Sequence, residues 1–352
     1  MVKAKKIISL LLAFCFIMSM SVISAGASGR KTALPTSAGI EALRDEFDSD
    51  KAPKAGGYAL DYCYYSPVGA NDNAKYPLVI FLHGIGHADY PGAQLDDSDM
   101  PYWASSELQS RFTEGGAFIL LPRAPEHNLV YWSKSLIESL RAVIDDVISK
   151  HGDNIDTSKI FIGGSSAGAE MTWDMIIAFP EYFAGAFPIA ATGTVSASDV
   201  KTCKDVAIWM IASTKDPVIS YGATTVPLWN NVCKYNSDPS DCRITILGSV
   251  KEPAGKGASD NHHMAKVVTY DLHMLDGSKY YDSETKDGNG NVLELSSPNG
   301  MIYWMNGISS SYEGDAGEGS GTTGVSFITN FFDGIRNFFL KIVNMFQRLF
   351  GL

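Results

Sequence analysis

The sequence predicts an α/β architecture: a mostly parallel central sheet with helices on both faces. Three observations carry this expectation. Short apolar runs recur through the middle of the chain, as in strands buried on both sides. Stretches with apolar residues at helical spacing lie between them, and strands alternating with helices build βαβ units. One apolar run ends in a Gly/Ser-rich turn, Gly164-Ser165-Ser166-Ala167-Gly168, ahead of a further helical stretch.

The first segment reads as an address. Lys3, Lys5 and Lys6 precede an apolar run from Ile7 to Ile23, and Ala25-Gly26-Ala27 supplies small residues for cleavage. This is the pattern of a secretory signal peptide over residues 1–27, and it implies a secreted or extracellular protein. An uncleaved membrane anchor is the rival reading, and the small-residue end argues against it. Phe14 is too bulky to precede a lipidated Cys15. Removal of 1–27 takes away three lysines and no acid, leaving the chain three units more negative than its formal −11.

Residues 28–55 are polar and mixed, a leader strapped along the domain surface. Residues 58–66 alternate apolar and polar as in an edge strand. Buried strands are expected at 77–82, 117–121, 159–162, 184–190, 206–212 and 244–247. Leu136, Leu140, Val143, Ile144 and Val147 recur at helical spacing over 136–148. Residues 276–300, with Lys286-Asp287-Gly288-Asn289-Gly290-Asn291, read as a surface loop or hairpin. Residues 301–306, with Trp304, read as the last packed helix. The catalytic domain is accordingly expected over 28–310.

Residues 311–324 are rich in glycine and polar residues and read as a flexible linker. Beyond it, over 325–352, the apolar residues fall on one helical stripe that includes Phe331, Phe338, Phe346 and Phe350. Asp333, Asn337, Lys341 and Arg348 fall opposite. One acid against Arg336, Lys341 and Arg348 gives this amphipathic helix the opposite sign to the body. A wide aromatic face with a weakly basic polar face suits a membrane interface, and the charges interrupt any spanning run. Docking on the domain or on a partner is the alternative. The expectation is membrane-surface contact through 325–352, holding the protein at the cell envelope.

Composition excludes other classes. Of 352 residues, 45% are hydrophobic and 19% charged, enough apolar chain for a sizeable core. Asp and Glu total 39 against 28 Lys and Arg, with no basic cluster in the body, so no nucleic-acid partner is expected. After residue 27 four cysteines remain: Cys63, Cys203, Cys233 and Cys242. Cys233–Cys242 is the easiest disulfide, closing a short polar loop, and no cysteine–histidine spacing resembles a zinc site.

The chemistry concentrates in three places. Gly164, Ser166 and Gly168 form G-x-S-x-G between the strand at 159–162 and the helical stretch at 170–179. Strand, sharp turn and helix is what a nucleophile elbow requires, and glycines on both sides let the backbone turn tightly. Acyl transfer builds negative charge on a carbonyl oxygen, which backbone N–H groups stabilise. Ala167 would supply one such donor. Ile85 or Gly86 would supply the other from the turn His83-Gly84-Ile85-Gly86 after the strand at 77–82; His83 reads as structural. A nucleophilic serine needs a base and the base an orienting acid, in the chain order Ser, Asp, His for this architecture. Asp216 lies in the loop after the strand at 206–212, at the sheet edge where function gathers in open α/β sheets. His262 and His263, in the loop after the last strand, are the two candidate bases. Trp103, Trp132 and His87, in loops beyond the same edge, are expected to line a substrate pocket or to pack.

These segments together resemble the α/β-hydrolases of the polyhydroxybutyrate-depolymerase/feruloyl-esterase type, a group that includes predicted peptidases. The likeness covers roughly residues 55–308. Its matching segments are Leu82-His83-Gly84-Ile85-Gly86, Leu121-Pro122-Arg123-Ala124-Pro125 with Trp132, Ile155-Asp156-Thr157-Ser158-Lys159-Ile160, Gly164–Gly168, Pro180-Glu181-Tyr182-Phe183-Ala184 and Thr214-Lys215-Asp216-Pro217-Val218. Members often carry a histidine followed by x-Ala-Trp and a later tyrosine. His263-Met264-Ala265-Lys266 with Tyr270 fits that register and selects His263 as the base. Lys266 departs from the pattern where tryptophan is usual, and Ala169 stands where glycine is common. The resemblance implies a serine esterase with a catalytic triad of Ser166, Asp216 and His263, acting on polysaccharide-linked or other extracellular esters without metal or organic cofactor. A serine peptidase on the same residues, and a non-catalytic binding protein that kept the fold, are the alternatives.

Overall fold

The computed structural model describes residues 39, 41–67, 73–96, 100–125, 132–191, 195–250, 262, 263, 265, 283–293 and 300–311. The expected signal peptide, the linker and the C-terminal helix lie outside these residues.

Ten strands form one sheet among the described residues: β1 (Asp48–Lys51), β2 (Asp61–Tyr65), β3 (Tyr76–Leu82), β4 (Phe118–Pro122), β5 (Ile155–Ser165), β6 (Gly185–Ile189), β7 (Ala207–Ser213), β8 (Arg243–Leu247), β9 (Ser283–Asp287) and β10 (Val292–Leu293). Their order is β1-β2-β4-β3-β5-β6-β7-β8-β9-β10. Along the sheet from β4 through β3, β5, β6 and β7 to β8, each strand runs parallel to the next. Antiparallel pairs close both flanks. All of β3, β4, β6 and β7 is buried, which explains why these segments read as continuous apolar runs.

Alternate residues of each central strand feed two separate apolar layers. Leu78, Ile80 and Leu82 face one side of β3, and Val79 and Phe81 the other. The first layer is covered by α2 (Ile137–His151), α3 (Ala167–Ala178), α4 (Ala197–Thr202) and α5 (Val226–Tyr235). In α2, Leu140, Val143, Ile144 and Val147 form the expected stripe and are fully buried, each contributing about 1.5–3 kcal/mol of burial. The second layer is covered by α1 (Ser106–Gln109), the turn Met100–Ala104 and α6 (Met301–Gly307). In α6, Trp304 meets Trp209 edge-on at 5.6 Å and donates its indole N–H to the Asp241 carbonyl at 2.8 Å. Helices therefore cover both faces.

Two expectations need correction, and a third is resolved in favour of one of its two forms. The segment at 58–66 is not the edge of the sheet. The strand within it, β2, has β1 outside it, pairing Asp48 with Tyr64 through Lys51 with Asp61. Asp-Ser-Asp-Lys is wholly exposed and has no apolar alternation to announce a strand; its charges suit a protected edge. On the other flank, the polar segment at 276–300, read as a loop or hairpin, contains the hairpin β9–β10, which extends the sheet past β8. Thr245 and Thr285 hydroxyls meet at 2.9 Å there, and Trp209 donates to Thr245. Lastly, Cys233 and Cys242 are not joined, and all four described cysteines are free thiols. Cys242 is buried at the start of β8 and Cys233 sits on α5, so a short loop in sequence does not bring a bond with it.

Candidate active site

At the carboxyl end of β5 the chain turns through Ser166 and enters α3 at Ala167. Ser166 has φ 57° and ψ −117°, a conformation that costs a non-glycine residue on the order of 1–3 kcal/mol. The surrounding hydrogen bonds hold it there. Ser166 N–H donates to Ile189 O at 2.9 Å, and Ser166 O accepts from Ala169 N–H and Glu170 N–H at 2.9 and 3.1 Å. Ala167 opens the helix, so its N–H has no acceptor within α3.

The two flanking glycines explain how the elbow meets its neighbour. A Cβ on Gly164 would lie 2.8 Å from Leu82 O, and one on Gly168 2.7 Å from His83 O. Backbone therefore packs directly on backbone at the end of β3. This contact brings the next turn over the serine: a Cβ on Gly84 would sit 3.7 Å from the Ser166 Cβ. Gly86 follows with φ +99°, and Ile85 is 58% exposed although it is aliphatic. The turn that carries Ile85 and Gly86 thus begins beside the Ser166 elbow, which Ala167 follows into α3.

Asp216 stands in the loop after β7, which Thr214 ties to the end of β8 through Leu247 O at 2.9 Å. Asp216 Oδ1 accepts two backbone N–H groups, from Val218 at 2.8 Å and Ile219 at 2.9 Å. Its rotamer is therefore set, and Oδ2 faces His263 Nδ1 at 2.8 Å. The Asp216 side chain is 2% exposed and that of His263 21%. A carboxylate accepts only, so Nδ1 carries the proton and Nε2 is the acceptor of the neutral ring. His262 turns elsewhere: its Nδ1 accepts Val250 N–H at 3.3 Å.

The other singled-out residues separate. His83 is buried; its Nδ1 donates to Gly84 O at 2.7 Å and its Nε2 accepts Ala124 N–H at 3.1 Å, so both ring nitrogens are engaged in structure. His87 is half-buried beside it, the two rings 6.5 Å apart. Trp103 belongs to the core and not to a substrate-lining loop. It is 1% exposed and stacks on Phe187 at 6.2 Å, because the bulky segment Met100–Ala104 folds down onto the sheet. Trp132 is also buried and gives its indole N–H to His83 O at 2.9 Å.

Two features escaped the sequence. Ala190, just past β6, has φ 51°, and its N–H donates to Ile211 O at 2.9 Å. No residue type marks such a position. Arg123, inside Leu121-Pro122-Arg123-Ala124-Pro125, is buried and reaches the turn after β3. A single arginine after an apolar strand carries no signal of its destination.

The chain is similar in structure to a thermostable esterase, at 26% identity and a TM-score of 0.55, over 76% of this chain. It spans 64% of that esterase's length. It is also similar to the feruloyl esterase module from Clostridium thermocellum, at 14% identity and a TM-score of 0.42, over 53% of this chain and 72% of that one. The acylaminoacyl peptidase of Pyrococcus horikoshii aligns at 14% identity and a TM-score of 0.47, over 65% of this chain and 41% of that one. No family model and no curated protein matches the sequence. The fold is that of the α/β-hydrolases.

Proposed function

We propose that this chain is a serine hydrolase that cleaves carboxylic esters through an acyl-enzyme. The observation that carries the reading is the His263–Asp216 pair, at the same sheet edge as the strained Ser166 elbow. In this mechanism Ser166 Oγ attacks the ester carbonyl carbon while His263 Nε2 takes its proton. Asp216 holds the ring in the required tautomer and stabilises the imidazolium. Ala167 N–H, with Ile85 or Gly86 N–H, receives the charge that builds on the carbonyl oxygen. The alcohol leaves with the proton from His263, and water then attacks the acyl-enzyme by the same route.

The substrate class we favour is a polysaccharide-linked or other extracellular ester. That choice follows from the export signal expected over 1–27 and from the resemblance of the catalytic segments. The basic, aromatic tail at 325–352 would hold the enzyme at a membrane surface. Sedimentation with anionic liposomes, full mature chain against a truncation ending at Gly324, tests that part; equal sedimentation of the two sinks it.

The central test is hydrolysis of short p-nitrophenyl esters by wild type and Ser166→Ala. Turnover by wild type and a loss of several orders of magnitude in the variant is the expected result. An inert wild type, or an equally active variant, overturns the assignment. Matched peptide anilides run alongside separate an esterase from a peptidase.

A further inference from the structure

The Gly84–His87 turn is held at its two ends by the side chains of Trp132 and of Arg123, the residue that follows β4. At its leading end the His83 carbonyl accepts the Trp132 indole N–H at 2.9 Å, and the two rings lie 5.1 Å apart. The Ala124 N–H, next in the chain to Arg123, donates to Nε2 of the same His83 ring at 3.1 Å. At its trailing end the Ala88 carbonyl accepts Arg123 Nη1 at 2.8 Å. Arg123 is 7% exposed; its Nη2 is paired with the Asp61 carboxylate, and its backbone N–H donates to Asp61 O at 2.9 Å. This reach is possible because β3 and β4 are parallel neighbours, so the loops leaving them emerge side by side.

Between these anchors the turn is exposed at Ile85 and left-handed at Gly86. The Gly84 carbonyl, in the peptide that carries the Ile85 N–H, accepts His83 Nδ1 at 2.7 Å, so the direction of that N–H depends on how the His83 ring is held. A buried guanidinium, even one paired with Asp61, is a costly way to pin the Ala88 carbonyl when an apolar contact would serve for packing alone. Donors that stabilise a developing oxyanion, by contrast, act only when their direction is set in advance.

We propose that Arg123 and Trp132 are positioning residues for the oxyanion turn. By fixing the two ends of the turn at the carbonyls of Ala88 and His83, and by holding the His83 ring that binds the Gly84 carbonyl, they keep the N–H groups of Ile85 and Gly86 aimed at the oxygen of the tetrahedral intermediate. This rests on the serine hydrolase reading, and its test is built to fail separately from it.

The variants are Arg123→Lys and Trp132→Phe. Lysine keeps the charge opposite Asp61 but, as a point donor, cannot serve Asp61 and Ala88 in one plane. Phenylalanine keeps an aromatic ring but loses the N–H together with part of the indole's volume, which the melting curve monitors. Each is assayed on a p-nitrophenyl ester and its thionoester, whose developing sulfur anion gains far less from N–H donors. With melting curves close to wild type, kcat on the oxygen ester should fall on the order of tenfold to a hundredfold. KM should stay within about threefold, the pattern of an interaction made only in the transition state. The thionoester rate should fall much less, narrowing the ratio between the two. Folded variants with wild-type kcat, a parallel fall on both substrates, or a change confined to KM would overturn the inference. If Arg123→Lys does not fold, Trp132→Phe decides by the same readouts. Active wild type, inert Ser166→Ala and unaltered Arg123→Lys and Trp132→Phe would sink the positioning role alone. An inert wild type, or an active Ser166→Ala, would sink the hydrolase reading, and this inference with it.

Discussion

His263 Nδ1 lies 2.8 Å from Asp216 Oδ2, across 47 residues of chain. The carboxylate is nearly sealed from water, and its other oxygen is already occupied by two backbone N–H groups. Such a carboxylate has one direction left to act in, and the imidazole stands in it.

Asp216→Asn tests that relationship. The asparagine oxygen can still accept from Val218 and Ile219, so the loop should keep its shape. Its amide N–H₂ would then face Nδ1 and favour the wrong tautomer. We expect kcat to fall by roughly a thousandfold to ten-thousandfold with little loss of stability, read from esterase kinetics and thermal melts. Unchanged kcat would remove His263 from the base position.

Gly168→Ala should abolish the folded protein or its activity. The new Cβ would meet the carbonyl oxygens of Leu82 and His83, which belong to the backbone and cannot swing aside. Gly222→Ala is the control: nothing lies within 4 Å of its Cβ position, so it should be close to neutral. Soluble yield and melting temperature of the pair check both statements.

Thiol counting addresses the cysteines. Protein lacking residues 1–27, denatured without reductant, should titrate four thiols; a count of two would reveal a bridge. In the native state Cys203 and Cys242 should label very slowly. Burial pushes both thiols up to about 12, so almost no thiolate is present at neutral pH, and reagent cannot reach them. Cys233, only partly buried, should react first.

Asp174, on α3, offers a pH-dependent effect. Burial holds its carboxyl above the usual carboxylate range, and Glu170 and Asp199 push the same way against Lys134. A raised acid favours the folded state while protonated, so its contribution is lost as pH climbs from the ordinary carboxylate value through the raised one and is gone above it. Lys134, 3.6 Å away, opposes this in part, and its exposure lets water screen the pair. Asp174→Asn should therefore raise the melting temperature at neutral pH, on the order of a degree or two, and the gain should vanish as pH falls through the carboxylate range. A lower melting temperature at neutral pH would refute it.

The sequence by itself determined the layered α/β plan, because strands buried on both faces must be continuously apolar and α2 must carry a stripe. It also marked Ser166: Gly164 and Gly168 sit where backbone meets backbone, and that demand is local enough to be written in the residue order. Other features were legible only in part. Asp216 could be placed by its loop, but two neighbouring histidines fit equally well until family likeness chose between them; His262 turns to Val250 and His263 to Asp216. The tertiary structure alone decided the rest. β1 exists because β2 offers it a partner, not because Asp-Ser-Asp-Lys prefers to be extended. Trp103 and Trp132 are buried by what folds over them. Arg123 reaches Ala88 because parallel β3 and β4 deliver their loops to one edge. Contacts of this kind are properties of pairs distant in sequence, and residue order carries no local trace of them.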